Sequence, residues 1–522
     1  FYNSGLGVCD LGNGFGMFPA KAEALTGAGK GVVLFRTDGT LGGTIEVCDV
    51  NPASTSEWMG EYGMGANPAA PLGGSLFYFN CDAKLPSNDG QELWFHDGTP
   101  GAAATMVGPI NPGTGYSGGT SPKYIINAGG AKVAFNAKDG VSGSNNDQTC
   151  LYWASGTSYG KIFHYVNVGG VNTPTPVYGA QAIMYHNGRI YCAGKNDDTN
   201  TGTWDIYVSD GTTAWRKTNL DFGNSSLRIV HFDDAAGNIY FVGGWYPSNV
   251  PAGMTAGSHL YVVDKNFATA PIQLTNENYT PSWAYEPTGS GASPFAVAPN
   301  GTLLFGALSN GDPLDGGGPL TDVGGQLWTT DGTVTGTQVF MSLNPVTGDA
   351  GDNIHPVAID AGVVFSCNDG TTGYELWLTD GTTGGTALIA DTTPGGFPDG
   401  GSAPGWLQPV GSRRVVYAYG KYSNEGEELW TCDGTAPVRK TDIDPNNGDT
   451  TPRGWGLQNG LLVFQASHYT IGDELYTMDF GANTKAFGVT SAHYSDNNHS
   501  SASCIDPVLG APYTIMCNNG FT

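Results

Sequence analysis

Apolar and polar positions recur along this chain in short alternating runs. The clearest run lies at 373–395, GYELWLTDGTTGGTALIADTTPG, where alternation ends at a Thr-Asp-Gly-Thr step and a second short apolar run follows. Successive side chains of a strand point to opposite faces, so Leu376 and Leu378 share one face and Trp377 takes the other. Bulk on both faces predicts a sheet sandwiched between two neighbours, since a sheet with one wet face does not need it. The Asp-Gly step predicts a tight hairpin, in which Asp bonds the turn amides and Gly accepts positive φ.

The run repeats along most of the chain. Good copies stand at 34–44 (LFRTDGTLGGT), 91–99 (QELWFHDGT), 205–212 (DIYVSDGT), 326–337 (QLWTTDGTVTGT) and 427–435 (EELWTCDGT). Degenerate copies stand at 151–157, 259–264 and 474–481. The turn position falls at Asp38, Asp97, Ser155, Asp210, Asp264, Asp331, Asp380, Asp433 and Asp479, at spacings of 59, 58, 55, 54, 67, 49, 53 and 46 residues. A period of this size predicts one four-stranded blade per unit. Each unit has a weak first strand, an apolar second strand such as 238–244 or 362–367, and a variable loop. The ELWxTDGT strand and a short final strand complete it.

The chain therefore reads as all-β, a single large β-propeller of four-stranded blades, about eight in number within a range of seven to nine. The first unit shows two clear strands, so closure draws on the N-terminal segment or on 512–517 (PYTIMC). The boundaries follow as an N-terminal segment at 1–30, the propeller at 31–490 and a tail at 491–522.

These units resemble the ELWxxDGT repeats, related to hyalin-type repeats, of large secreted and cell-surface proteins. The resemblance covers 31–488. It implies an extracellular β-propeller or similar repeat array, without an assigned reaction.

Charge narrows the partners. The chain carries 21 basic and 47 acidic residues, for a net charge of -26. Such a field repels nucleic acid and anionic membrane surfaces and favours cations, Ca²⁺ above all. No apolar run is long enough to form a transmembrane segment, and the start at Phe1 suggests removal of a leader. Nine cysteines without a CxxC pair point to an oxidising compartment. Cys504 and Cys517 bracket a tail loop that a disulfide would staple, and Cys9 is placed to reach Cys48 or the tail. Sequons at Asn224, Asn278, Asn300 and Asn498 mark glycosylation positions for a eukaryotic secreted protein.

The candidate chemistry is sparse. GxSxG occurs at 115–119 and 156–160, but Ser158 sits in a repeat hairpin and Ser117 between blades, far from a strand-to-helix elbow. His493 and His499 form the nearest histidine pair, without zinc spacing, and His96 occupies a turn position. The metal candidate is TDIDPNNGDT, where Asp442, Asp444, Asn446 and Asp449 offer oxygen ligands to Ca²⁺, against the plainer reading of a blade connector. Residues present in every unit serve the unit, so departures from the repeat are the functional candidates. Two are the insertions at 245–257 and 310–325.

These observations favour an extracellular structural or binding scaffold, a subunit of a surface filament, layer or matrix that meets protein partners or further copies of itself. No catalytic residue or certain cofactor is assigned. The alternatives are a propeller enzyme with a central-channel site for a polysaccharide or small molecule, and a carbohydrate-binding lectin. The first strands 295–299 and 356–360 carry little catalytic chemistry, and no aromatic recurs at an equivalent loop position.

Overall fold

The computed structural model describes residues 9–10, 14–22, 31–40, 42–49, 76–81, 92–110, 122–129, 132–138, 149–195, 203–218, 220, 222, 227–245, 257–275, 279–280, 295–309, 324–344, 350, 354–392, 404–420, 426–443, 450, 452–458, 461–468, 472–479, 486–489, 501–505 and 512–516. Their regular elements are all β-strands in antiparallel sheets. None of them forms a helix long and apolar enough to cross a membrane.

Each copy of the motif is the next-to-last strand of its blade, and the third strand wherever four are described. These strands are Gly31–Thr37, Glu92–His96, Thr149–Ser155, Trp204–Ser209, Gly257–Asp264, Gly324–Thr330, Tyr374–Thr379, Glu427–Cys432 and Gly472–Asp479. The fold is thus a multi-bladed β-propeller, with nine units among the described residues, at the upper end of the expected range. Blade 7 shows the order in full: Val357–Ile359, Gly362–Asn368, Tyr374–Thr379 and Ala387–Leu388, each paired with the next. Blade 1 is completed by the N-terminal strands Cys9–Asp10 and Gly16–Ala22. Blades 3 and 4 join through a single pairing of Cys150 with Tyr178. The tail strands Ser501–Ile505 and Pro512–Met516 pair with each other and enter no blade.

The core lies between blades. Leu376 and Leu378 pack toward blade 8 with Val415 and Tyr417, while Trp377 packs toward blade 6 with Leu304 and Leu327. The alternation read from the sequence is therefore an assignment of side chains to neighbours. Burying an aliphatic or aromatic side chain in this way contributes about 1.5–3 kcal/mol.

The repeated turn is a hydrogen-bond unit. In blade 7, Gly381 N donates to Thr379 Oγ1 at 3.1 Å, and Thr382 donates to Asp380 Oδ1 through its amide and its hydroxyl, at 2.8 and 2.7 Å. Thr386 Oγ1 donates to Thr382 O at 2.7 Å. Gly381 has φ +94°, and a Cβ on Gly385 would lie 2.2 Å from Asp380 Oδ1, so both glycines are required. The same set recurs around Asp38 and Asp331. Where Thr is replaced before the Asp, the substitute still accepts from the Gly amide: His96 Nδ1 at 2.8 Å, Ser209 Oγ at 3.0 Å and Cys432 Sγ at 3.4 Å. His96 is thus a turn residue.

A second recurrent device is a buried acid at the start of the third strand. Glu375 accepts from Thr392 N and Oγ1 at 3.0 and 2.6 Å, and Glu428 accepts from Thr441 Oγ1 at 2.6 Å. Asp205 accepts from Arg216 Nε at 2.6 Å, Thr218 Oγ1 at 2.6 Å and Leu220 N at 2.9 Å. Each ties the third strand to the chain leaving its blade, and each offers a buried polar group several donors.

The ring closes by packing. The turns of blades 7 and 8 sit on the first hairpin of the preceding blade, Gly381 against Asn300 and Gly434 against Ala361. Gly39 of blade 1 sits likewise on Leu461 of blade 9, and the two inner strands Cys9–Asp10 and Arg453–Gln458 are in contact. Among the described residues the two blades share no strand.

The structure corrects part of the cysteine reading. Cys48, Cys192, Cys367 and Cys432 are buried free thiols, so a Cys9–Cys48 bridge is not formed, and Cys150 is also buried. The tail hairpin sets Cys504 opposite Tyr513; Cys517 lies outside the described residues. Burial pushes the Cys48 thiol up to about 11 and Cys192 to about 12, and raises Cys367 further.

Candidate functional site

The residues singled out from sequence are not drawn together. Asp442 forms an ion pair with Arg439 at 2.6 Å, so a cation within the chain already meets its carboxylate. Asp444, Asn446 and Asp449 lie outside the described residues, as do Ser117, His493, His499 and most of the two insertions. Among the described residues no group of three or more His, Cys, Asp or Glu gathers to hold a metal. Ser158 begins the strand Ser158–Lys161 and faces Ser155 across a two-residue turn, with no helix behind it. Asn300 Nδ2, the atom a glycan would take, donates to Gly381 O at 2.9 Å across the interface of blades 6 and 7.

Two other features depart from the repeat. The first is a cavity of about 490 Å³ between blades 4 and 5, on the rim formed by the first and last hairpins of each blade. Blade 4 supplies Arg189 from its first hairpin, Trp215 from its outer strand and Lys217 from just after that strand. Blade 5 supplies Asp234 from its first hairpin and the turn 265–267, Lys265-Asn266-Phe267, which stands where other units carry Gly-Thr. Asp264 organises that turn, accepting from Asn266 N at 3.0 Å and from Thr269 N at 2.8 Å.

The cavity is electrostatically unlike the rest of the molecule. It gathers three of the 21 basic residues and one of the 47 acidic ones. Asp234 is engaged: it accepts from His186 Nε2 at 3.0 Å and from Asn187 Nδ2 at 3.1 Å. The His186 hydrogen bond, with the charge of Lys265 also acting, holds its carboxyl below the usual range. His186 stacks on Phe232 with ring centroids 4.1 Å apart. The Arg189 guanidinium lies over the Trp215 ring at 5.8 Å, and Trp215 stays 40% exposed. Asn187 and Phe267 adopt positive φ, +45° and +55°, two of four such non-glycine residues described. For a residue as bulky as Phe267 that costs about 1–3 kcal/mol, and such strain clusters at binding sites.

The second feature is a hairpin inserted between blades 3 and 4. Its strands Phe163–Val168 and Val171–Pro176 pair across Gly169 and Gly170, both at positive φ, as a two-residue hairpin turn requires. It is anchored at its base, where Phe163 bridges Thr213 and His164 packs edge-on to Tyr207. Its tip projects, leaving Val168 62% and Val171 66% exposed, with Tyr165 and Val166 exposed behind them. No Asp, Glu, Lys or Arg occurs from 163 to 176.

No family model matches this chain, and no curated protein does. Among solved structures it is similar to a puromycin hydrolase (13% identity, TM-score 0.39, covering 86% of this chain and 58% of that one). It is also similar to the β-propeller domain of the Trilobed protease from Pyrococcus furiosus, at 11% identity and TM-score 0.36 over 72% of this chain and 99% of that one. A third likeness, at 10% identity and TM-score 0.42, is to a structure from work on two prolyl endopeptidases, covering 84% of this chain and 52% of that one. The chain thus spans little more than half the length of the puromycin hydrolase. Likenesses this distant carry no activity across, and the propeller rests here on its own sheets and register.

Proposed function

We propose that this chain is an extracellular structural scaffold whose copies associate with one another through the inserted hairpin, as subunits of a surface layer, filament or matrix. The observation that carries this reading is the projecting, uncharged tip of the hairpin on a chain of net charge -26. Copies approaching over acidic surface meet like charge, whereas two tips meet apolar surface with apolar surface. Val166, Val168 and Val171 share one face of the hairpin. Pro174 and Pro176 fall at alternate positions of the second strand that turn toward its outer edge, where a missing N–H opposes addition of another strand. Contact is therefore through the face. A few side chains bury too little surface for a tight dimer, which suits an assembly where many weak contacts act together. The acidic composition and the resemblance to ELWxxDGT repeats support the extracellular setting.

Electron microscopy and light scattering over a concentration series test the proposal. Assemblies of rings are expected, lost in the double variant Val168→Asp/Val171→Asp while circular dichroism stays unchanged. Rings that remain single at every concentration, or assemblies indifferent to the variant, would sink it. Binding of the tip to a different protein, without self-association, would do so as well.

A further inference from the structure

We infer that the cavity between blades 4 and 5 is a binding site for an acidic saccharide, a pyranose carrying a carboxylate or sulfate. The inference stands on different residues from the proposed assembly and does not depend on it. Arg189, Lys217 and Lys265 come from two blades and line one cavity, and none of the three is held in an ion pair among the described residues. Three cations facing one carboxylate leave a net positive charge in the cavity, which favours an anion between them. The acid at hand, Asp234, is turned to His186 and Asn187.

The remaining wall selects the rest of the ligand. Trp215 keeps an exposed aromatic surface beside the cations, which suits the apolar C–H face of a sugar ring. Asn266 adds a carboxamide, which both donates and accepts, as sugar hydroxyls do. The volume lies within the usual range for small-ligand sites. Lys265, Asn266 and Phe267 replace the repeat's turn sequence, and Phe267 holds its strained backbone there. Seven other units carry Gly where Lys265 stands, so the cation there is a departure from the repeat.

The test is isothermal titration calorimetry of the whole chain with trigalacturonate, a sulfated disaccharide, the fully methyl-esterified trigalacturonate, and sodium sulfate alone. The acidic probes should bind, at least one of the two measurably, with affinity falling as salt rises. The esterified sugar should bind about tenfold more weakly or not at all, a difference of about 1.4 kcal/mol. Lys217→Met and Trp215→Ala should each weaken binding about tenfold or more, a loss of about 1.4 kcal/mol each, while Lys440→Met, outside the cavity, should not. Circular dichroism establishes that the variants fold. Equal binding of the esterified sugar, equal binding of sulfate with no effect of Trp215→Ala, or no binding of any probe would overturn the inference.

Discussion

Replacing Asp205 by Ala separates the work of the buried acid from that of the turn aspartate. Asp205 is fully buried and accepts from Arg216, Thr218 and Leu220, so the substitution removes one acceptor from three donors at once. Breaking a buried ion pair by deleting one member costs roughly 3–5 kcal/mol. The Arg216 side chain is about one quarter exposed, so water recovers part of its solvation and the expected loss is about 3 kcal/mol. Asp210→Ala, in the turn of the same blade, removes the same formal charge from a carboxylate that bonds the exposed amides of Thr212 and Thr213. That loss should be about 1 kcal/mol. Urea unfolding followed by tryptophan fluorescence gives both values, and hydrogen exchange across 204–218 locates the opening. Equal losses for the two variants, or no loss for Asp205→Ala, would refute the assignment of the buried acid as the tie between third strand and connector.

Acid should act on this protein in two stages. Burial, with Arg216 nearby, holds His164 down to about 4, so the unfolded chain takes up the proton first. Stability is undiminished above the unfolded value of 6.5 and falls with pH until the folded value is passed, by about 2 kcal/mol at pH 5. Below the ordinary carboxylate range the turn aspartates follow: Asp331, Asp380 and Asp433 are lowered first by the hydroxyls of Thr333, Thr382 and Thr435, and their contribution is lost on protonation. Urea midpoints from pH 7 to 4 should flatten in His164→Phe, and an unchanged slope would assign the first stage elsewhere. Cys192 and Cys367 should resist a thiol reagent at pH 8 until urea unfolds the ring; rapid labelling of the native protein would contradict their burial.

The unit was legible because its bonds are local. Thr379, Asp380, Gly381 and Thr382 satisfy one another within a few residues, so the spacing that makes the turn is written in the chain. His96 was recognised as a turn residue from its place in the repeat, and Ser209 and Cys432 prove to act the same way. The role of Glu375 was not legible, since its partner Thr392 lies 17 residues on and no short motif joins them. The cavity was harder still. Lys217 and Lys265 lie on different blades, and only the replacement of Gly-Thr by Lys-Asn-Phe after Asp264 signalled it. The Gly-Gly step at 169–170, between alternating apolar positions, was the available sign of the inserted hairpin.

The joint between blades 1 and 9 bears on how such a ring changes over generations. Gly39 rests on Leu461 as Gly434 rests on Ala361, so the last joint has the same kind of contact as an interior one. A ring fastened by a strand shared between its ends must keep both ends matched whenever a unit is gained or lost. Here blades 1 and 9 are separate four-stranded sheets among the described residues, and duplication of one whole unit adds one more equivalent joint. The number of blades is then open to selection on the diameter of the ring, while the chemistry of each turn is inherited unaltered.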